Sequence, residues 1–94
     1  MNLSNLFTET KPLQTKKIFN AHEGVTSIQL LANAFLAEHI TKIPALLVCV
    51  TGEVVFKKKK GISDKLIPGD FINIEPEVKH WIKAQNDSLL LLIK

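Results

Sequence analysis

The chain contains no arginine and no tyrosine, and it has one cysteine, one tryptophan and one methionine. Without arginine it lacks the planar guanidinium that grips phosphate or guanine bidentately, so a nucleic-acid partner is not expected. Cys49, standing alone, can form no intrachain disulfide and no cysteine-based zinc site. Such a chain suits a reducing interior. The longest apolar runs, Ala45–Val50 and Leu89–Ile93, fall far short of the roughly 20 residues that cross a bilayer as a helix. Met1–Thr10 has no basic start followed by an apolar stretch, so no leader is expected, nor a membrane, and the cytoplasm is the expected location.

What is present is 94 residues, 46% hydrophobic and 22% charged, with 12 lysines against 9 acidic residues and a net charge of +3. That is the composition of a folded protein and the length of one domain, expected over residues 1–94. A chain this short buries only about 60–65% of its unfolded surface, so nearly every apolar residue must serve one core.

Leu3, Leu6 and Phe7 recur at helical spacing, which predicts a short N-terminal helical turn within a lid segment, residues 1–12, ended by Pro12. Ile28, Ala32, Phe35, Leu36 and His39 also sit at helical spacing, and periodicity alone does not settle that stretch. A strand reading needs a break near Asn33, and asparagine is the best non-glycine residue for the left-handed turn required. Two strands, Val25–Leu31 and Phe35–His39, are therefore expected. Beyond them the pattern is β: Ala45–Val50, a turn or bulge at Thr51-Gly52, a strand Glu53–Lys57, and a charged loop Lys58–Asp64. After the turn Pro68-Gly69-Asp70 come strands Phe71–Ile74, Lys79–Ala84 and Ser88–Ile93. Short strands with frequent turn signals predict an all-β fold, a small antiparallel β-barrel or double-sheet jelly roll. The run Lys57–Lys60 reads as a solvated hairpin tip.

Ala37-Glu38-His39, Ala45 through Glu53, Pro68-Gly69-Asp70 and Ile74 through Ala84 together resemble a small single-domain cupin, over residues 25–93. The family's first motif, a spaced set of Gly, His, His, Glu and Gly, falls on Asn33, His39, Thr41, Ala45 and Gly52. Its second, Gly, Pro, Gly, His and Asn, falls on Gly69, Glu75, Glu77, His80 and Ala84, with Pro76 one place from the expected proline. Of the metal set that the resemblance implies, three His and one Glu, only His39 and His80 are kept.

On a barrel strand, alternation groups His39 with Thr41, then Ala45 with Leu47 and Cys49, and His80 with Ile82 and Ala84. The resemblance brings His39 and His80 to one end of a cavity. The ligand-binding cavity is accordingly expected to be lined by His39, Thr41, Leu47, Cys49, His80 and Ile82, and to take a small molecule. Any divalent metal, zinc, nickel, manganese or iron, would be held by His39 and His80 and weakly, because Thr41 and Ala45 remove a nitrogen and an anionic oxygen donor. A metal-dependent oxygenase or isomerase and a non-catalytic barrel with a filled cavity are the alternatives, and no catalytic residue is identifiable. Cys49, within Leu-Leu-Val-Cys-Val, reads as a packed small hydrophobe, and Asp70 as a turn cap. Outward Trp81 and Val48, with the apolar strand Leu89–Ile93, predict a homodimer.

Overall fold

The computed structural model describes residues 1–2, 5, 7–10, 12, 18–58, 61 and 63–94, with 37–39 described by their backbone. Among the described residues eight strands run in chain order: β1 (Val25–Leu30), β2 (Phe35–His39), β3 (Ala45–Thr51), β4 (Val54–Lys58), β5 (Ser63–Leu66), β6 (Phe71–Ile74), β7 (His80–Ala84) and β8 (Ser88–Ile93). They form two four-stranded sheets, β1-β8-β3-β6 and β2-β7-β4-β5, and the paired strands are antiparallel. Only the β4–β5 connection stays within one sheet; every other connection passes to the opposite sheet, as in a jelly roll.

Those crossings explain where the unusual backbone lies. A chain that leaves one sheet and enters the other within a few residues must reverse sharply, and four crossings do so through a residue with positive φ: Asn33 (70°), Gly52 (86°), Gly69 (91°) and Glu77 (65°). Asn33 takes the left-handed turn that the break between the first two strands required. The helical reading of residues 28–39 is excluded, since Phe35 begins β2 and stands 64% exposed.

Alternation assigns the core. Leu30, Ala45, Leu47, Cys49, Val54, Phe56, Leu66, Ile74, Ile82, Ala84 and Leu90 are all buried and pack together between the sheets. β3 is buried on both faces, because Leu46 and Val48 form a second cluster with Phe71 against Ile18, Phe19, Leu91 and Ile93. Ile18 and Phe19, ahead of β1, thus lie over the outside of the first sheet. Val48 faces outward as alternation requires, yet it is only 8% exposed because this cover shields it, so it offers no surface to a second chain.

Lys58–Asp64 is not a loop throughout: Ser63 and Asp64 open β5, pairing with Lys57 and Phe56 of β4. Ser-Asp-Lys-Leu sends only Leu66 into the core, so an edge strand of this kind carries almost no hydrophobic signal. The N-terminal helical turn rested on Leu3 and Leu6, which lie outside the described residues. No α-helix occurs among the described ones, where the N–H of Asn5 bonds the carbonyl of Asn2 at 3.1 Å. Nor, among them, is any helix long and apolar enough to cross a membrane.

The edge of β6 is occupied by the start of the chain. The N–H of Phe71 bonds the carbonyl of Met1, Asn2 forms a bridge with Asp70, and the Asn2 amide donates to the Asp70 carboxylate at 2.6 Å. Asp70 caps its turn as expected, accepting from the N–H of Ile67. That bond holds its carboxyl below the usual carboxylate range, with the Asn2 amide and the terminal ammonium acting in the same direction and burial acting against them.

Candidate functional site

Of the residues expected to line the cavity, Thr41, Leu47, Cys49, His80 and Ile82 are all buried, each 3% exposed or less. The backbone of His39 pairs with that of His80 across β2 and β7, beyond a register shift after Leu36; the His39 side chain lies outside what is described. Leu47, Cys49 and Ile82 belong to the packed core with Val54, Phe56 and Leu90, so they form apolar wall rather than polar lining.

The polar end is built by two crossings. Residues 40–44 carry Thr41 out of β2, and residues 75–79 lead into His80. The N–H of Glu77, in its left-handed turn, bonds the carbonyl of Thr41 at 2.9 Å and ties the two together. His80 is 1% exposed. Its ring stacks on Phe56 with centroids 5.4 Å apart and planes inclined by 26°, and Nδ1 lies 3.2 Å from the carbonyl oxygen of Val78. A carbonyl only accepts, so Nδ1 carries the hydrogen, and in the neutral ring Nε2 is the acceptor. Phe56, which stacks on His80, is a residue of this end that sequence reasoning did not single out. Nothing in the sequence shows that β4 lies beside β7 with Lys58 paired to His80.

Thr41 presents an anomaly. Its side chain is almost wholly buried, and Oγ1 has no hydrogen-bond partner among the described residues. A buried hydroxyl without a partner costs about 1–3 kcal/mol, and native structures rarely keep one unless something else uses it.

Cys49 belongs to the wall. Its thiol points at the carbonyls of Thr51 and Gly52, at 3.6 and 3.8 Å, and burial first, then the Asp70 and Glu53 carboxylates, push its pKa up. The raised pKa keeps it a thiol near neutrality, where the thiolate is the nucleophile. Alkylation of the native protein by iodoacetamide is expected to run about a hundredfold slower than in urea; equal rates would show the thiol to be accessible.

Two layers of four antiparallel strands, joined by crossings and holding a polar end at His80, make this a cupin fold. Solved structures with this fold superpose along most of the chain. A cupin superfamily protein from Desulfitobacterium hafniense matches with a TM-score of 0.71 at 16% identity, covering 100% of this chain and 87% of that one. The cupin domain of Drosophila melanogaster CENP-C matches at 0.69 and 19% identity, covering 85% of this chain, which spans 63% of that structure. A cupin-2 domain protein from Shewanella frigidimarina matches at 0.66 and 13% identity, covering 82% and 84%. No family model matches the sequence, and no curated protein does.

Metal binding is the chemistry for which the resemblance provides a donor set, and the residues present do not fit it. Ala45 carries no donor, Thr41 brings a neutral hydroxyl, and no three His, Cys, Asp or Glu side chains converge among the described residues. Of the two imidazoles that the resemblance counts, only that of His80 is described, and the positions of the implied set bring no carboxylate to offset a desolvated dication.

Proposed function

We propose that this chain is a small-molecule-binding barrel rather than a metalloenzyme. A small polar ligand is engaged at the crossing end by the Thr41 hydroxyl and the His80 imidazole against the face of Phe56. The observation that carries this reading is the buried Oγ1 of Thr41, without a partner among the described residues, beside a crossing that fixes its backbone. A hydroxyl kept at a cost to folding is what a ligand hydrogen bond requires. Zinc, nickel, manganese or iron would bind weakly, through imidazoles alone.

The test joins stability to metal affinity. Thr41→Val removes the orphaned oxygen and is expected to raise stability by about 1 kcal/mol in urea unfolding. A loss of that size would mean that the hydroxyl is used within the fold, and the reading would fail. In calorimetry near pH 7.5 on chelator-treated protein, zinc, nickel and manganese are expected to bind with dissociation constants above about 10 μM. Submicromolar binding abolished by His80→Ala would put the enzyme alternative first.

For oligomeric state we propose a homodimer formed through β1. Two other sheet edges carry protection: β6 is covered by Met1 and Asn2, and β5 bears Asp64 and Lys65. β1 reads Val-Thr-Ser-Ile-Gln-Leu, without a charge or a proline, and Val25 at its start is 62% exposed. Such an edge is a template for another strand.

A further inference from the structure

The outer face of the second sheet holds a pocket of about 300 Å³ lined by Asn33, Phe35, Lys57, Trp81 and Lys83. Register explains the grouping: Phe35 on β2 is paired with Lys83 on β7, and Trp81 on β7 with Lys57 on β4, so rings and ammonium groups alternate along and across the strands. Neither Lys57 nor Lys83 has an ion-pair partner among the described residues, whereas Lys65 on the same sheet is paired with Glu53 at 3.3 Å. The rim is held in place from behind. The N–H of Asn33 bonds the carbonyl of Ala84, the N–H of Ala84 bonds the carbonyl of Ala34, and the N–H of Ala32 bonds the Asp87 carboxylate at 2.8 Å.

We propose that this pocket binds a small planar organic anion, an aromatic carboxylate of roughly ten to fifteen non-hydrogen atoms. The indole of Trp81 and the ring of Phe35 supply flat apolar surface, and the two lysines supply the charge. The site is separate from the barrel interior and does not rest on the reading given for Thr41. A second copy of this chain is the wrong occupant: a two-fold contact through this face would set Lys57 and Lys83 against their own counterparts. A neutral apolar ligand would desolvate two ammonium groups without compensation. Lysine point charges suffice for a carboxylate, and the arginine forks that select phosphate are missing from the chain.

The chain's single tryptophan makes the test direct, since one indole N–H resonance reports on the pocket. The ¹⁵N-labelled full chain is titrated with 1-naphthoate, with 1-naphthalenemethanol and with 1-naphthylmethylammonium. Naphthoate is expected to shift the Trp81 indole signal saturably, the alcohol to bind about tenfold more weakly and the ammonium more weakly still. Lys57→Gln with Lys83→Gln should weaken naphthoate about tenfold while the dispersion of the spectrum, and hence the fold, is kept. The proposal is overturned by the absence of a saturable shift below about 5 mM, by an alcohol or ammonium that binds as tightly as naphthoate, or by a double variant that binds undiminished. Displacement of naphthoate by oligothymidylate at lower concentration overturns it in favour of a single-stranded nucleic acid.

Discussion

Gly52→Ala is expected to cost about 3 kcal/mol or more of folding free energy, a large share of the roughly 5–15 kcal/mol that a domain of this size possesses. Gly52 is where the chain leaves β3 in the first sheet and turns into β4 in the second, and it does so at φ 86°. A side chain there is strained by the backbone alone. The larger part is steric: a Cβ would run into Ser88 Oγ and the Asp87 carbonyl, with Ser88 Cα at 2.7 Å. Two of those atoms are backbone or next to it and cannot swing away. The third is the hydroxyl that accepts from the N–H of Glu53 at 3.1 Å and donates to the carbonyl of Asn86 at 2.8 Å, so displacing it also unties the β3–β4 crossing from the β7–β8 crossing. Gly61→Ala is the control. Gly61 has nearly the same φ, 84°, but open space where its Cβ would go. It should lose only about 1 kcal/mol, the backbone part. Urea unfolding followed by Trp81 fluorescence measures both, and equal losses would show that the fold absorbs the collision at Gly52.

Introducing lysines on β1 is expected to convert a homodimer to monomer. A pair of β1 strands related by a two-fold axis is antiparallel by symmetry, and joining them would extend the first sheet across both chains. Ser27 and Gln29 are exposed, on the face of the strand opposite the buried Leu30. Ser27→Lys with Gln29→Lys places four ammonium groups on two facing strands, the device by which natural edge strands refuse partners. Sedimentation of the unaltered protein at about 10 μM should give twice the chain mass, and the variant the mass of one chain, a weakening of about a hundredfold or more. A monomer before substitution, or a dimer after it, would remove β1 from the interface. The pocket beside Trp81 lies on the other sheet, so the anion titration can be repeated on the monomeric variant with an unchanged result expected.

The positions of the turns and the direction of the side chains were legible in the sequence, because both are local. Asn33, Gly52 and Gly69 stand where the backbone needs a left-handed residue, and period-two alternation placed His80, Ile82 and Ala84 inward and Lys83 outward. The same alternation on β3 put Ala45, Leu47 and Cys49 on one inward face. What alternation cannot state is which strand lies next to which, because pairing joins residues far apart in the chain. The stacking of Phe56 on His80 and the pairing of Phe35 with Lys83 therefore appeared only in the tertiary structure. β5 was invisible for a related reason: an edge strand that buries one leucine leaves no periodic signal. Val48 shows the remaining limit. Its outward direction was determined by the sequence, but its burial was decided by Ile18 and Phe19 lying across the sheet. Thr41 combines both cases: the resemblance set it beside His39 in the first motif, and only the packed structure determined that its hydroxyl would be enclosed without a partner among the described residues, since that depends on every group brought around it.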